Sequence, residues 1–311
     1  MENNTSSISW LHGLEDYFRF KKNNLIADMC ADFLKVVYSE NKAPTLRNVV
    51  CESLGKTPSN SDVYNTLNFF AHSANLEDNM KLKEISSALA VLFPEELIFK
   101  IINKFYRQTE LDLSDAFSRS QVKSKIWLAT ELAKIQKDFD NIVILAGWHG
   151  QLIKYFDNIT FKKIKNVELD PAACLISDDI VNLDLIQDYQ VKAVHADINQ
   201  LTLTKKGYEF QIENFKNTDQ KKFSERFLPN LIINTSAEHM GEEWFNTIRF
   251  KEIESNPIVV IQSNNLFDIE EHVNCVHSID HMKKKFPMQE ILYEGELQLQ
   301  GYKRIMLIGR P

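Results

Sequence analysis

Cysteine is scarce in this sequence and scattered. Cys30, Cys51, Cys174 and Cys275 form no Cys-x-x-Cys pair. That spacing argues against a disulfide framework or a zinc ribbon and leaves the thiols as small apolar core residues in a reducing compartment. Long apolar runs are missing too: nothing approaches the roughly 18 residues of a membrane-spanning helix. The polar start Met1-Glu2-Asn3-Asn4-Thr5 shows no basic stretch followed by an apolar one. A cytoplasmic protein with no membrane partner is expected. Positive charge is outnumbered, 36 Lys and Arg against 43 Asp and Glu, and its densest runs are only Lys162-Lys163-Ile164-Lys165 and Lys283-Lys284-Lys285. The charge pattern leaves nucleic acid open as a substrate without indicating it. Of nine glycines only Gly13 and Gly55 precede residue 147, which fits short helix connections rather than hairpins through the first part of the chain.

What is present divides in two. At 311 residues the chain is long enough for two cores. Residues 1–137 read as an all-helical N-terminal domain. Leu25, Ile26, Met29, Phe33, Leu34 and Val37 recur at three and four, one face of a helix. Further helices are expected over 63–71, 81–92, 95–105 and 120–136. Pro94 followed by Glu95 and Glu96 suits a first helical turn.

From residue 138 to 311 the texture is that of an α/β domain. Ile142-Val143-Ile144-Leu145-Ala146 is a continuous apolar run ending on Gly147, the look of a parallel strand covered on both faces. Comparable runs at 164–169, 191–195, 231–234 and 257–262 predict a doubly wound, mostly parallel sheet. Two strands at 290–298 and 303–309, with Gly301 between them, predict a terminal antiparallel hairpin. The charged stretch 204–227 reads as a solvated insertion.

Ligands of such sheets bind beyond the carboxyl ends of the strands, so the residues there are the candidate site. After the first strand comes Gly147-Trp148-His149-Gly150, where glycine would permit a sharp turn and close approach to a ligand. Glu168-Leu169-Asp170-Pro171 follows the second, where a carboxylate can accept both hydroxyls of a ribose. His195-Ala196-Asp197-Ile198 follows the third, within reach of an adenine edge. Asn234-Thr235-Ser236-Ala237-Glu238-His239-Met240 follows the fourth and faces the place where a reacting atom would sit. His239 has the intrinsic pKa of a general base, and Glu238 would need burial to serve as one.

In this arrangement the chain resembles the class I S-adenosylmethionine-dependent methyltransferases over residues 141–311. The segments Ala116-Phe117-Ser118-Arg119-Ser120-Gln121-Val122-Lys123-Ser124-Lys125 and Asn-Thr-Ser-x-Glu-His are also similar to uncharacterised methyltransferase-like proteins of bacteriophages. The resemblance implies a Rossmann-like fold and a transferase with S-adenosylmethionine as cofactor. It places Gly147, Trp148 and Gly150 beside the methionine moiety, Asp170 on the ribose with Glu168 as the next choice, and Asp197 on the adenine. Asn234, first in the substrate-facing loop, is a candidate both for cofactor binding and for catalysis, with Glu238 and His239 as the other candidate catalytic groups. The acceptor is of unknown class. The family's first motif has an acid before three glycines, whereas this chain has two glycines and no acid, and the Asn-Pro-Pro-Tyr signature of amino-methylating DNA enzymes is absent.

Plainer roles compete for the same residues. Asp170 before Pro171 and Asp197 before Ile198 are good helix caps, and Arg119 and Lys123 are expected to be solvated charge. His277 and His281 are four apart, but the nearby His272-Val273-Asn274-Cys275 reads as loop or strand, and no metal site is expected. Two other functions stay open: transfer of the cofactor's aminobutyrate arm, since Asp170-Pro171-Ala172-Ala173 has some likeness to nicotianamine synthases, and a non-catalytic binding subunit.

Overall fold

The computed structural model describes residues 9–37, 86–87, 89–90, 92–96, 98–102, 115–182, 190–213 and 222–311. The expected helix at 63–71 and Cys51 lie outside them. Contacts divide the chain into two compact units, Met1–Ile126 and Trp127–Pro311.

In the first unit, helices α1 (Ser9–Phe20) and α2 (Asn24–Val37) are joined by a short turn. Trp10, Leu11, Leu14, Tyr17 and Phe18 form the buried stripe of α1. On α2, Ile26, Met29 and Leu34 are buried as their spacing predicts, while Leu25 is exposed. Gly13 is required by packing, since a Cβ there would lie 1.8 Å from the Phe117 carbonyl oxygen. Arg119 is not simply solvated: its Nε donates to Asp16 Oδ2 at 2.8 Å.

Helix α3 (Arg119–Ile135) contains the boundary between the units and leads into the second. There β1 (Asp138–Leu145), β2 (Thr160–Glu168), β3 (Val191–His195), β6 (Leu231–Asn234), β7 (Ile258–Asn264), β8 (Glu290–Gln298) and β9 (Lys303–Arg310) build one seven-stranded sheet. Its order is β3-β2-β1-β6-β7-β9-β8. The first five are parallel; β9 runs antiparallel between β7 and β8. This is the mostly parallel, Rossmann-like sheet with a terminal hairpin that the apolar runs predict. Residues Ile142 to Leu145 and all of β7 are buried because both faces are covered. Helix α4 (Pro171–Asn182) packs on β2 and β3, and α6 (Ile279–Lys285) on β8 and β9. A short α5 (Glu243–Asn246) lies between β6 and β7.

The stretch 204–227 differs from expectation. It holds a second sheet, β4 (Tyr208–Ile212) antiparallel to β5 (Phe223–Phe227). Tyr208, Phe210, Ile212 and Phe227 join Val143, Leu145, Val167 and Val194 in one buried cluster. The insertion is therefore a cover for one face of the main sheet. An ion pair fastens it: fully buried Lys165 on β2 reaches Glu225 on β5 at 2.6 Å and lies 5.6 Å from the Phe227 ring centroid, while Lys163 reaches the other Glu225 oxygen at 3.0 Å. Burial pulls the Lys165 ammonium below its usual range against the opposing pull of Glu225. Burial also opposes ionisation of Glu225, but the two lysines outweigh it and hold this carboxyl below the usual carboxylate range.

Glu225→Gln should therefore cost about 3 kcal/mol, because it strands a buried ammonium, whereas Lys165→Met with Glu225→Leu should stay within about 1 kcal/mol of the parent. Urea unfolding of the three proteins measures this. The depressed Glu225 value means its contribution is full above the pKa of the unfolded chain and is lost as pH falls through the folded one. The gap between parent and Glu225→Gln should accordingly narrow in acid.

Candidate functional site

The sheet reverses direction between β1 and β6: the chain first builds outward through β2 and β3, then returns to the other side of β1. Crevices at such switch points are where α/β sheets bind ligands. The loops after β1 and β6 meet there, Ser236 Oγ donating to the Ala146 carbonyl at 3.5 Å.

The loop after β1 is wound tightly. Ala146, Trp148 and Gly150 all take positive φ, at 49°, 48° and 67°. Beneath it lies Asn166, buried on β2, whose Nδ2 donates to the Trp148 carbonyl and to Ser177 Oγ, both at 3.0 Å. A Cβ on Gly147 would stand 1.8 Å from Asn166 Oδ1, and one on Gly150 would stand 2.4 Å from Ser177 Oγ. Both glycines are demanded by packing against β2 and α4, whatever the loop also binds. Three of its N–H groups are committed internally: Gly147 donates to the Val167 carbonyl at 3.2 Å, Trp148 to Glu168 Oε2 at 2.8 Å and Gly150 to the Gly147 carbonyl at 2.9 Å. Trp148 stacks on buried His149, with ring centroids 4.1 Å apart.

Glu168 is the last residue of β2. Besides Trp148 it takes the N–H groups of Leu169 and Asp170 on Oε1, at 2.8 and 3.1 Å. Asp170 caps α4, Oδ1 accepting from Ala172 N at 2.8 Å, and no hydrogen bond engages its Oδ2 among the described residues. Asp197 also caps: Oδ1 accepts from Asn199 N at 2.9 Å and Oδ2 from Gln200 Nε2 at 3.2 Å. Cys174 is buried close to this corner, where burial first and Glu168 second push its thiol up to about 12.

Asn234, at the end of β6, is buried and turns back on its own loop, Oδ1 accepting from Ser236 N at 2.9 Å and Nδ2 meeting Met240 Sδ at 3.2 Å. Glu238 is 2% exposed. Its Oε1 accepts from Asn264 Nδ2 at 2.9 Å and pairs with Arg304 Nη2 at 3.2 Å. The same Arg304 nitrogen also donates to the Thr235 carbonyl. Arg304 reaches this place because it pairs across the sheet with Asn264, at the carboxyl end of β7. His239 is exposed, and its ring meets that of His272, from the loop after β7, edge-to-face at 4.6 Å.

The structure thus gathers Gly147, Trp148, Gly150, Glu168 and Asp170 in two bonded loops, and Asn234, Glu238 and His239 in a third loop that touches the first through Ser236. Asp197 sits in the loop after β3, whose Ala196 N–H donates to the Glu168 carbonyl at 3.0 Å. Asn166, Asn264, His272 and Arg304 are additional. Asn166 was visible as a polar residue within the apolar half of β2; Arg304 heads the apolar run of β9. The His277–His281 pair stacks at 5.5 Å, and Cys275 is bonded to Asn264 Oδ1 and the Leu266 carbonyl, both at 3.3 Å, so the histidine that joins other ligand types is His272. A cavity of about 400 Å³ lined by Phe245, Arg249, Lys251, Gln289 and Pro311 lies at the amino ends of the strands, away from this chemistry.

No protein-family model and no curated protein matches the sequence. Among solved structures, the chain is similar to the N-methyltransferase NodS from Bradyrhizobium japonicum WM9, at 10% identity, covering 61% of this chain and 96% of that one with a TM-score of 0.42. It is also similar to geranyl diphosphate C-methyltransferase from Streptomyces coelicolor A3(2), at 9% identity, 65% and 84% coverage and a TM-score of 0.43. TrmK of M. capricolum, solved with S-adenosyl-homocysteine, follows at 12% identity, 58% and 67% coverage and a TM-score of 0.36. Likenesses at these scores assign no activity; the fold rests on the strand pairing itself.

Gly147→Ala should lower stability by at least about 2 kcal/mol through overpacking. Combining it with Asn166→Ala should recover a large part of that loss, because the contacting amide is gone. A double-mutant cycle from urea midpoints tests the assignment; an unchanged cost in the Asn166→Ala background would refute it.

Proposed function

We propose that residues 127–311 bind S-adenosylmethionine at the switch point and transfer its methyl group to an acceptor held beside Asn234, Glu238 and His239. The observation that carries this reading is how the first loop spends its donors. A pyrophosphate-binding loop offers several unpaired N–H groups to the anion, whereas those of Gly147, Trp148 and Gly150 are already bonded. The site suits a nucleoside without phosphates. Carboxylates stand at the end of β2, where a ribose would lie: Asp170 keeps Oδ2, and Glu168, with three acceptances among about four lone-pair positions, keeps one. Together they can take the two ribose hydroxyls. Asp197 would meet the adenine amino group only by giving up Gln200. The strand order, the terminal hairpin and the sequence resemblance agree with this cofactor.

Methyl transfer is an in-line displacement at the sulfonium carbon: a bond forms from the acceptor's nucleophile to the methyl as the carbon–sulfur bond breaks, leaving S-adenosylhomocysteine. It needs alignment above all. Buried, bonded Asn234 and Glu238 supply a rigid wall, and exposed His239 can take a proton from the acceptor.

Titration calorimetry of the full chain with S-adenosylmethionine and S-adenosylhomocysteine should show micromolar binding. Asp170→Ala should weaken it at least tenfold while costing about 1 kcal/mol of stability through the lost cap. Failure of both ligands to bind the folded protein would overturn the proposal. Methylthioadenosine as the product with an acceptor would replace methyl transfer by aminobutyrate transfer.

A further inference from the structure

Glu238, His239 and His272 each bring one ligand atom to a common point, all within 4.8 Å of one another. Two further features separate this cluster from a chance meeting of polar side chains. Glu238 Oε1 is engaged by Asn264 and Arg304, but Oε2 is buried with no hydrogen-bond partner among the described residues. A buried carboxylate oxygen left in that state is costly unless something else meets it. On the opposite side, His272 Nδ1 lies 3.1 Å from the Leu266 carbonyl; a carbonyl only accepts, so this contact puts the proton on Nδ1 and leaves the lone pair on Nε2. Metal-binding histidines are oriented in this manner.

We infer that Glu238, His239 and His272 form a site for a divalent transition-metal cation of the zinc class. Two imidazoles and one carboxylate suit such an ion better than calcium or magnesium, which prefer all-oxygen shells. Zinc bonds of about 2.1 Å hold tetrahedral ligands about 3.4 Å apart, so the set must draw in from its present spacing, to which the exposed side chain of His239 can contribute by rotating. Three protein ligands leave a position open. Arg304 already balances the Glu238 charge, so affinity should be moderate. The role of the site rests on the transferase reading: with the His239 lone pair held by the metal, the ion takes over the part of that general base, and an acceptor hydroxyl, thiol or amine at the open position would lose its proton to solvent more easily. Exposed Phe267, Ile269 and Val273 in the loop that carries His272 would give that acceptor an apolar border.

The test is equilibrium dialysis of the full chain, expressed without a histidine tag, against Zn²⁺ and against Co²⁺ as a spectroscopic probe, with no S-adenosylmethionine present. One equivalent of Zn²⁺ should bind in the micromolar range, and Co²⁺ should show the visible bands of a four-coordinate site. His239→Ala and His272→Ala should each weaken binding at least tenfold, and His281→Ala should leave it unchanged. His239 is exposed, so its variant should fold; circular dichroism checks this. No metal bound, or parental binding by folded His239→Ala, or loss in His281→Ala alone, overturns the site. The cofactor titration is read separately, so either proposal can fail while the other stands.

Discussion

The carboxylate of Glu168 accepts three backbone N–H groups, one from the loop after β1 and two from its own, and so ties together the two loops that border the crevice. Carboxylate bonds to N–H groups are among the stronger hydrogen bonds in proteins. Asn166, one pleat below, holds the same glycine loop to α4 through Ser177. With both in place the loop cannot shift without breaking contacts on β2 and α4 together. The terminal oxygen of Asp170, the face of Trp148 and the loop from Asn234 to Met240 are all presented from that frame.

A second, separate constraint acts on the far side of β6. Arg304 enters from an antiparallel strand and places its guanidinium against the buried carboxylate of Glu238. Inserting β9 between β7 and β8 is what brings a cation to the carboxyl end of a parallel sheet. The terminal hairpin thereby contributes to the site as well as closing the sheet.

Much of the sheet was legible because buried parallel strands are written as apolar runs. Ile142 to Leu145 and Leu231 to Ile233 could hardly be anything else. The beginning of β2 was not legible: Thr160, Phe161, Lys162 and Lys163 extend past the core to pair with Asp138 to Asn141, where exposure permits charge. The β4–β5 cover was missed although Tyr208-Glu209-Phe210-Gln211-Ile212 alternates as a half-buried strand should; the charge of the surrounding stretch masked it. At the site, loop positions follow from strand ends, so the places of the glycines and of the acids after β2 and β3 in the fold were legible. The nearness of His272 to Glu238, and the partnership of Arg304 with both Glu238 and Thr235, depend on which strands are neighbours, and no local spacing encodes that.

Ala146 and Trp148 hold left-handed backbone without being glycine, at a cost of order 1 kcal/mol each. That cost is met on folding, by Asn166 and Glu168, before any ligand arrives. A molecule entering the crevice consequently finds the β1 loop already in one conformation and loses little entropy in ordering it. Its association rate would then be set by diffusion and orientation, with no slow closing step at this loop.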